Sequence, residues 1–148
     1  MAVEIKILSS GDESLLLNSA PGVFDNPVDP QLAREFLRDP RHHIAAAVED
    51  GQVVGFASAV HYMHPDKRSQ LWINEVAVAP THRQQGLAKT LLPVLFNVGR
   101  LLGCTEAWVL TDRPNLPAMR LYSSLTTVPP TDHVMFTFPF SESDTQKP

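Results

Sequence analysis

The chain has 148 residues, 43% hydrophobic and 19% charged, which makes one folded domain with a proper core and excludes a disordered chain. The formal net charge of −4 argues against a general nucleic-acid binder, which carries a basic face, and suits a cationic ligand without requiring one. No apolar run is long enough to span a membrane, the first residues lack the pattern of a signal peptide, and the single cysteine rules out an internal disulfide framework. A cytoplasmic protein with no membrane partner is the expectation. Cys104, between a helix end and a strand, reads as an inert packed thiol.

Val3 to Leu8 reads as a first strand. Gly11-Asp12-Glu13-Ser14 starts a short helix carrying Leu15, Leu16 and Leu17, and residues 21–28 form a loop rich in breakers. Asp29-Pro30 is an N-cap followed by a first helical position, so a helix runs to about Arg38, with Leu32, Phe36, Ala33 and Leu37 facing inward. His43 to Val48 and Val53 to about His61 are strands joined by a hairpin over Glu49-Asp50-Gly51-Gln52. After a polar loop, Leu71 to Val78 completes an antiparallel meander.

From Gly86 to Leu102, apolar residues recur at helical spacing (Leu87, Leu91, Val94, Leu95, Val98), interrupted by Pro93 and closed by Gly103. Glu106 to Thr111 is a strand. Pro117 opens a helix with Met119, Leu121, Tyr122 and Leu125, and His133 to Phe140 alternates as a last strand. Residues 1–140 form a single domain and 141–148 a polar tail expected to be disordered. The order β-α-α-β-β-β-α-β-α-β suits an α/β fold, one mixed sheet with helices on both faces.

The most informative stretch is Val76 to Leu92, where an apolar strand enters a polar turn that opens directly into a helix. The turn holds Arg83-x-x-Gly86-x-Ala88. A helix start exposes backbone N–H groups without partners and adds partial positive charge; small side chains at Gly86 and Ala88 let an anion approach closely, and Arg83 adds a charged donor. A pyrophosphate fits this arrangement, although an ordinary strand-to-helix connection explains the local spacing equally well.

Two separate motifs then carry a family resemblance. Arg83-Gln84-Gln85-Gly86-Leu87-Ala88 matches (Gln/Arg)-x-x-Gly-x-(Gly/Ala), and Asn115-Leu116-Pro117-Ala118-Met119-Arg120-Leu121-Tyr122 matches an Asn followed by Ala and then Leu-Tyr. Over nearly its full length the chain resembles GNAT-superfamily N-acetyltransferases, and within them aminoglycoside 3-N-acetyltransferases. The latter likeness rests on Ile73 to Val78, His82-Arg83, Gly86, Gly103 and Asp112, and is weak in the N-terminal half. It departs where Thr126-Thr127 stands in place of the usual Gly-Phe, which puts one pocket wall in question. The resemblance implies a mostly antiparallel sheet of six to seven strands with splayed central strands and about four helices. It also implies direct acetyl transfer from acetyl-CoA to a primary amine, with dimerisation common.

On that resemblance, the backbone of Gln84, Gln85, Gly86, Leu87, Ala88 and Lys89, with Arg83, holds the pyrophosphate. The edge of Val76, Ala77 and Val78 pairs with pantetheine, and the N–H near Val76 polarises the thioester carbonyl. Tyr122 supplies a proton to the CoA sulfur, and Asn115 pairs with a pantetheine amide or serves as a helix cap. The attacking amine must be neutral, so a base is needed. Glu75, a carboxylate on a central strand, is the candidate base or ammonium ligand; the plain alternative is that it faces solvent or pairs with a nearby base.

Substrate candidates are Asp25, Asn26, His61, Tyr62, Glu75 and Asp112. Asp29, Asp66 and Asp132 are further members of an acidic mouth, each also explicable as a turn or cap residue. The six histidines show no metal-ligand spacing, so no metal is expected. His82 is near enough to the phosphate turn to assist there. The acceptor is a cationic small molecule, with an aminoglycoside leading. The alternatives are a protein N-terminus, a lysine, a polyamine or an amino acid, or a non-catalytic acyl-CoA-binding module.

Overall fold

The computed structural model describes residues 2–141. Asp50 and Gly51 both adopt positive φ, 52° and 75°, as a two-residue hairpin with right-handed strand twist requires. This turn joins β2 (His42–Glu49) to β3 (Gln52–Tyr62), the centre of the sheet. β1 (Glu4–Ile7) pairs antiparallel with β2, β4 (Gln70–Val78) antiparallel with β3, and β5 (Ala107–Val109) parallel with β4, in the order β1-β2-β3-β4-β5. Four helices complete the α/β fold: α1 (Glu13–Leu17), α2 (Pro30–Arg38), α3 (Leu87–Leu101) and α4 (Leu116–Ser123). Among the described residues no helix is long and apolar enough to cross a membrane.

β2 and β3 are buried on both faces, so they read as continuous apolar runs instead of alternating ones. Ala45, Ala46, Ala47, Ala57 and Ala59 keep this centre thin. On one face α3 presses Leu91, Leu92 and Leu95 into the core, and Gly99 comes so close that an added Cβ would lie 3.1 Å from Leu71 Cδ2. On the other face Phe36 of α2 packs against His42, and Phe24 stacks on Phe56 with ring centroids 4.3 Å apart.

The expected elements are found within a residue or two, with two exceptions. Among the described residues the sheet has five strands instead of six or seven, because His133 to Phe140 pairs with no described strand and residues 126–140 are exposed throughout. Leu32 is also exposed. The inward stripe of α2 is Ala33, Phe36 and Leu37, spaced three and four apart, and Leu32 lies off it. The expected disordered tail, beyond Ser141, lies outside the described residues.

His43 and His61 sit on the α3 face of the sheet, their rings stacked and His43 Nε2 2.8 Å from His61 Nδ1. Burial, and then the neighbouring His61, push the His43 pKa down from 6.5 to about 4. Between those values the unfolded chain binds a proton that the folded chain does not. Stability is therefore fully present above pH about 6.5 and declines as the pH falls toward about 4. Thermal melts across that range should show His43→Gln losing less stability on acidification than the wild type; equal slopes would remove the pair from this role.

Candidate active site

The register of β4 changes in its middle. Ile73 lies opposite Ala59 and Glu75 opposite Ser58, so Asn74 is an extra residue, a β-bulge. Strict alternation would put Glu75 on the face of Leu71 and Ile73, beneath α3. The bulge moves it by one position onto the face of Trp72 and Ser58. Glu75 is exposed there, with no hydrogen bond or ion pair to any described residue. An exposed carboxylate needs no compensation for burial and is open to an approaching amine.

The bulge also marks where β4 and β5 part. Only Leu71, Trp72 and Ile73 pair with Ala107, Trp108 and Val109. Beyond them Asn74 to Val78 have β3 on one side and, among the described residues, no strand on the other. The expected splay is present, and it leaves the main chain of Val76, Ala77 and Val78 as an open edge.

This edge leads to the turn before α3. Gln84 and Gly86 adopt left-handed φ, 63° and 75°, turning successive amides toward one side. Among the described residues no protein acceptor pairs with the amides of Gln84, Gln85, Gly86, Leu87, Ala88 or Lys89. Nothing lies within 4 Å of an ideal Cβ at Gly86, so the space above it is open. Arg83 Nε donates to the Val78 carbonyl at 3.2 Å, which fixes its exposed guanidinium beside the end of β4. His82 beside the turn is already engaged. Its Nε2 lies 3.0 Å from Glu49 Oε1 and its Nδ1 2.8 Å from Thr81 Oγ1, so it ties the turn to the β2–β3 hairpin.

On the second motif, Asn115 caps α4, its Oδ1 accepting from the Ala118 amide at 3.2 Å. Its amide N–H groups have no partner among the described residues. Tyr122 is half-buried against the core, and burial raises its phenol pKa above the ordinary 10. The phenol is held protonated, as a proton donor requires.

The substrate candidates divide. His61 bonds to His43 on the α3 face and so leaves the group around Glu75. The Tyr62 hydroxyl accepts from Trp108 Nε1 at 2.9 Å and donates to Gln70 Oε1 at 3.0 Å, so it positions the tryptophan. Asp25 and Asn26 are exposed in a loop anchored by Val23 and Phe24, with Gly22 packed against Pro80. Asp112 is exposed in the turn before α4, past the end of β5. Asp29 caps α2, Asp66 pairs with Lys67 and Asp132 with Arg113, which gives each a structural use. No group of His, Cys, Asp and Glu able to hold a metal occurs among the described residues.

Trp72 and Trp108 are candidate site residues that the sequence did not single out. Their rings stack at 5.0 Å and 14°, and with Val60 and Tyr62 they line a groove of about 350 Å³ on the face of Glu75. Trp72 remains 38% exposed. The signal was a tryptophan on each of two strands; their alignment became visible only with the β4–β5 register.

The profile of the acetyltransferase (GNAT) family matches residues 14–125. The chain belongs to that family. GNAT acetyltransferases use acetyl-CoA, and the unpaired amides before α3 together with the open β4 edge fit its pyrophosphate and its amide-bearing arm. An aminoglycoside acetyltransferase from an uncultured soil metagenomic sample superposes with a TM-score of 0.80 at 27% identity, over 95% of this chain and 100% of that one. L-2,4-diaminobutyric acid acetyltransferase of Virgibacillus pantothenticus is 35% identical over 52% of this chain and 47% of its own length. Streptothricin acetyltransferase of Streptomyces lavendulae is 33% identical over 65% and 57%. The chain thus spans about half the length of these curated relatives.

Replacing Gly86 with Ala forces a side chain into left-handed φ, and Arg83→Ala removes the charge beside the free amides. Each should weaken acetyl-CoA binding by roughly tenfold, the size of one lost charge-assisted hydrogen bond or one misdirected amide. Titration calorimetry with CoA measures this. Arg83→Ala should also flatten the salt dependence of binding, and unchanged affinity in both variants would move the nucleotide elsewhere.

Proposed function

We propose that this GNAT protein transfers the acetyl group of acetyl-CoA directly to a primary amine of a cationic small molecule, with the 3-amino group of an aminoglycoside as the leading acceptor. The observation that carries the reading is the exposed Glu75 carboxylate beside the stacked Trp72–Trp108 pair, at the point where the β4 edge opens. A carboxylate attracts an ammonium, and the face of a tryptophan attracts a cation or a sugar ring. The acceptors named for the diaminobutyrate, streptothricin and aminoglycoside enzymes support the same class.

In this reading the amides of Gln84 to Lys89 and the Arg83 guanidinium bind the pyrophosphate. The edge of Val76, Ala77 and Val78 orients the pantetheine arm, and the free amide of Asn115 assists. Glu75 holds the substrate ammonium and takes its proton, directly or through water, which leaves a neutral nucleophile. The Val76 N–H stabilises the oxyanion as the amine adds to the thioester carbonyl. When the C–S bond breaks, Tyr122 gives its proton to the departing thiolate, and the second proton shed by the attacking nitrogen restores the phenol. Asp25, Asn26 and Asp112 supply negative charge around the entrance.

A second reading takes an amino acid with a side-chain amine as the acceptor, favoured by the sequence likeness to the diaminobutyrate enzyme. Release of CoA thiol separates the two when measured against aminoglycosides, streptothricin, L-2,4-diaminobutyrate, a polyamine and a peptide N-terminus. An aminoglycoside should give the largest kcat/KM. No acetyl-CoA-dependent release with any aminoglycoside would end the leading reading.

Glu75→Gln should lower kcat by on the order of 10²-fold. Trp72→Ala should raise the KM for the amine by roughly tenfold and leave that for acetyl-CoA unchanged. Tyr122→Phe should cut kcat with acetyl-CoA affinity preserved. Because burial raises the Tyr122 pKa above 10, any basic limb of the rate profile below that pH belongs to another group and should persist in Tyr122→Phe. Its disappearance in that variant would contradict the raised phenol.

A further inference from the structure

Between Val53 and Val60, Ser58 is the one residue of β3 with a polar side chain. It is 7% exposed, and its hydroxyl has no hydrogen-bond partner among the described residues. A buried hydroxyl without a partner costs stability. Alanine, which the chain uses on either side at 57 and 59, would fill the same space without that cost. The serine is therefore not there for packing.

Its surroundings leave one open direction. Along β3 on the same face, Phe56 is covered by the stacked Phe24, whereas Val60 lines the Trp72–Trp108 groove. Across the sheet, Ile44 pairs with Ser58 from β2 and is 3% exposed, whereas Glu75 pairs with it from β4 and is exposed. The hydroxyl thus meets solvent toward Glu75 and the groove. Paired residues on neighbouring strands hold their Cβ atoms about 5 Å apart. No hydrogen bond joins Ser58 to Glu75, so a small polar group seated between them can bond to both.

We propose that Ser58 is a further catalytic residue, which holds the acceptor nitrogen after Glu75 has neutralised it; this rests on the reading of Glu75 as the base. A primary ammonium carries three N–H donors. One donates to the Glu75 carboxylate and a second to Ser58 Oγ. When the first proton passes to Glu75, the carboxylate becomes a neutral acid and the nitrogen gains a lone pair. The charge attraction between them is then gone. The hydrogen bond to Ser58 needs no charge and survives the transfer. On that tether the amine turns its lone pair from Glu75 toward the open edge of β4, where the thioester carbonyl is attacked. The serine hydroxyl itself neither gains nor loses a proton.

Rate profiles against pH, followed by CoA thiol release with the amine of highest kcat/KM, separate the two residues. Glu75→Gln should regain much of its lost rate as the pH rises, because solvent then deprotonates the amine. Ser58→Ala should lose roughly tenfold in kcat at every pH, the size of one hydrogen bond made to the neutral amine. Its KM for the amine should stay near the wild-type value, since the ammonium is held mainly by charge. It should melt no lower than the wild type, because an unpaired hydroxyl has been removed. An unchanged kcat in Ser58→Ala, a loss that fades with rising pH, a raised KM with kcat intact, or a lowered melting temperature would each overturn the assignment. A wild-type rate in Glu75→Gln at every pH would instead remove the base on which it rests.

Discussion

The single extra residue at Asn74 governs the site. In an unbroken β4, Glu75 would point beneath α3 among Leu71 and Ile73, where an ionised carboxylate is costly. With the bulge it faces water beside Trp72. The strand also stops following β5 at the same point, because the parallel ladder reaches only Ile73. One backbone irregularity thus aims a carboxylate and opens a main-chain edge, which explains why the two lie together.

Around that point the fold divides its labour by face. The α3 side is dense: alanines from β2 and β3 lie under Leu91, Leu92 and Leu95, and Gly99 comes close to Leu71. The opposite side is covered only over β2 and β3, by α2 and by the loop that stacks Phe24 on Phe56. Over β4 and β5 no described helix covers it, and the Trp72–Trp108 pair lies there with Tyr62 bonded to the Trp108 indole. Rigid packing on one side therefore supports an accessible aromatic surface on the other.

Much of this was legible in the sequence because it rests on local rules. Asp29-Pro30 caps α2 as written, and Asp50-Gly51 makes the hairpin. The Arg83 to Ala88 and Asn115 to Tyr122 motifs pointed to the family whose profile then matched. The missing part depends on pairing between distant strands. The bulge is invisible until β3 lies against β4. His61 and Tyr62 looked like neighbours on one cleft until their alternation sent His61 to the α3 face. His133 to Phe140 has a strand's alternation, yet alternation cannot say which sheet will receive it.

The open half of β4 has a cost outside enzymology. An unpaired edge of Val76-Ala77-Val78, with neither a lysine nor a proline among them, is a template on which a stray extended segment can nucleate aggregation. A ligand that lies along that edge both shields it and stabilises the native state by mass action. A carrier lying there would thus act as a chaperone of the fold as well as a donor of its acyl group.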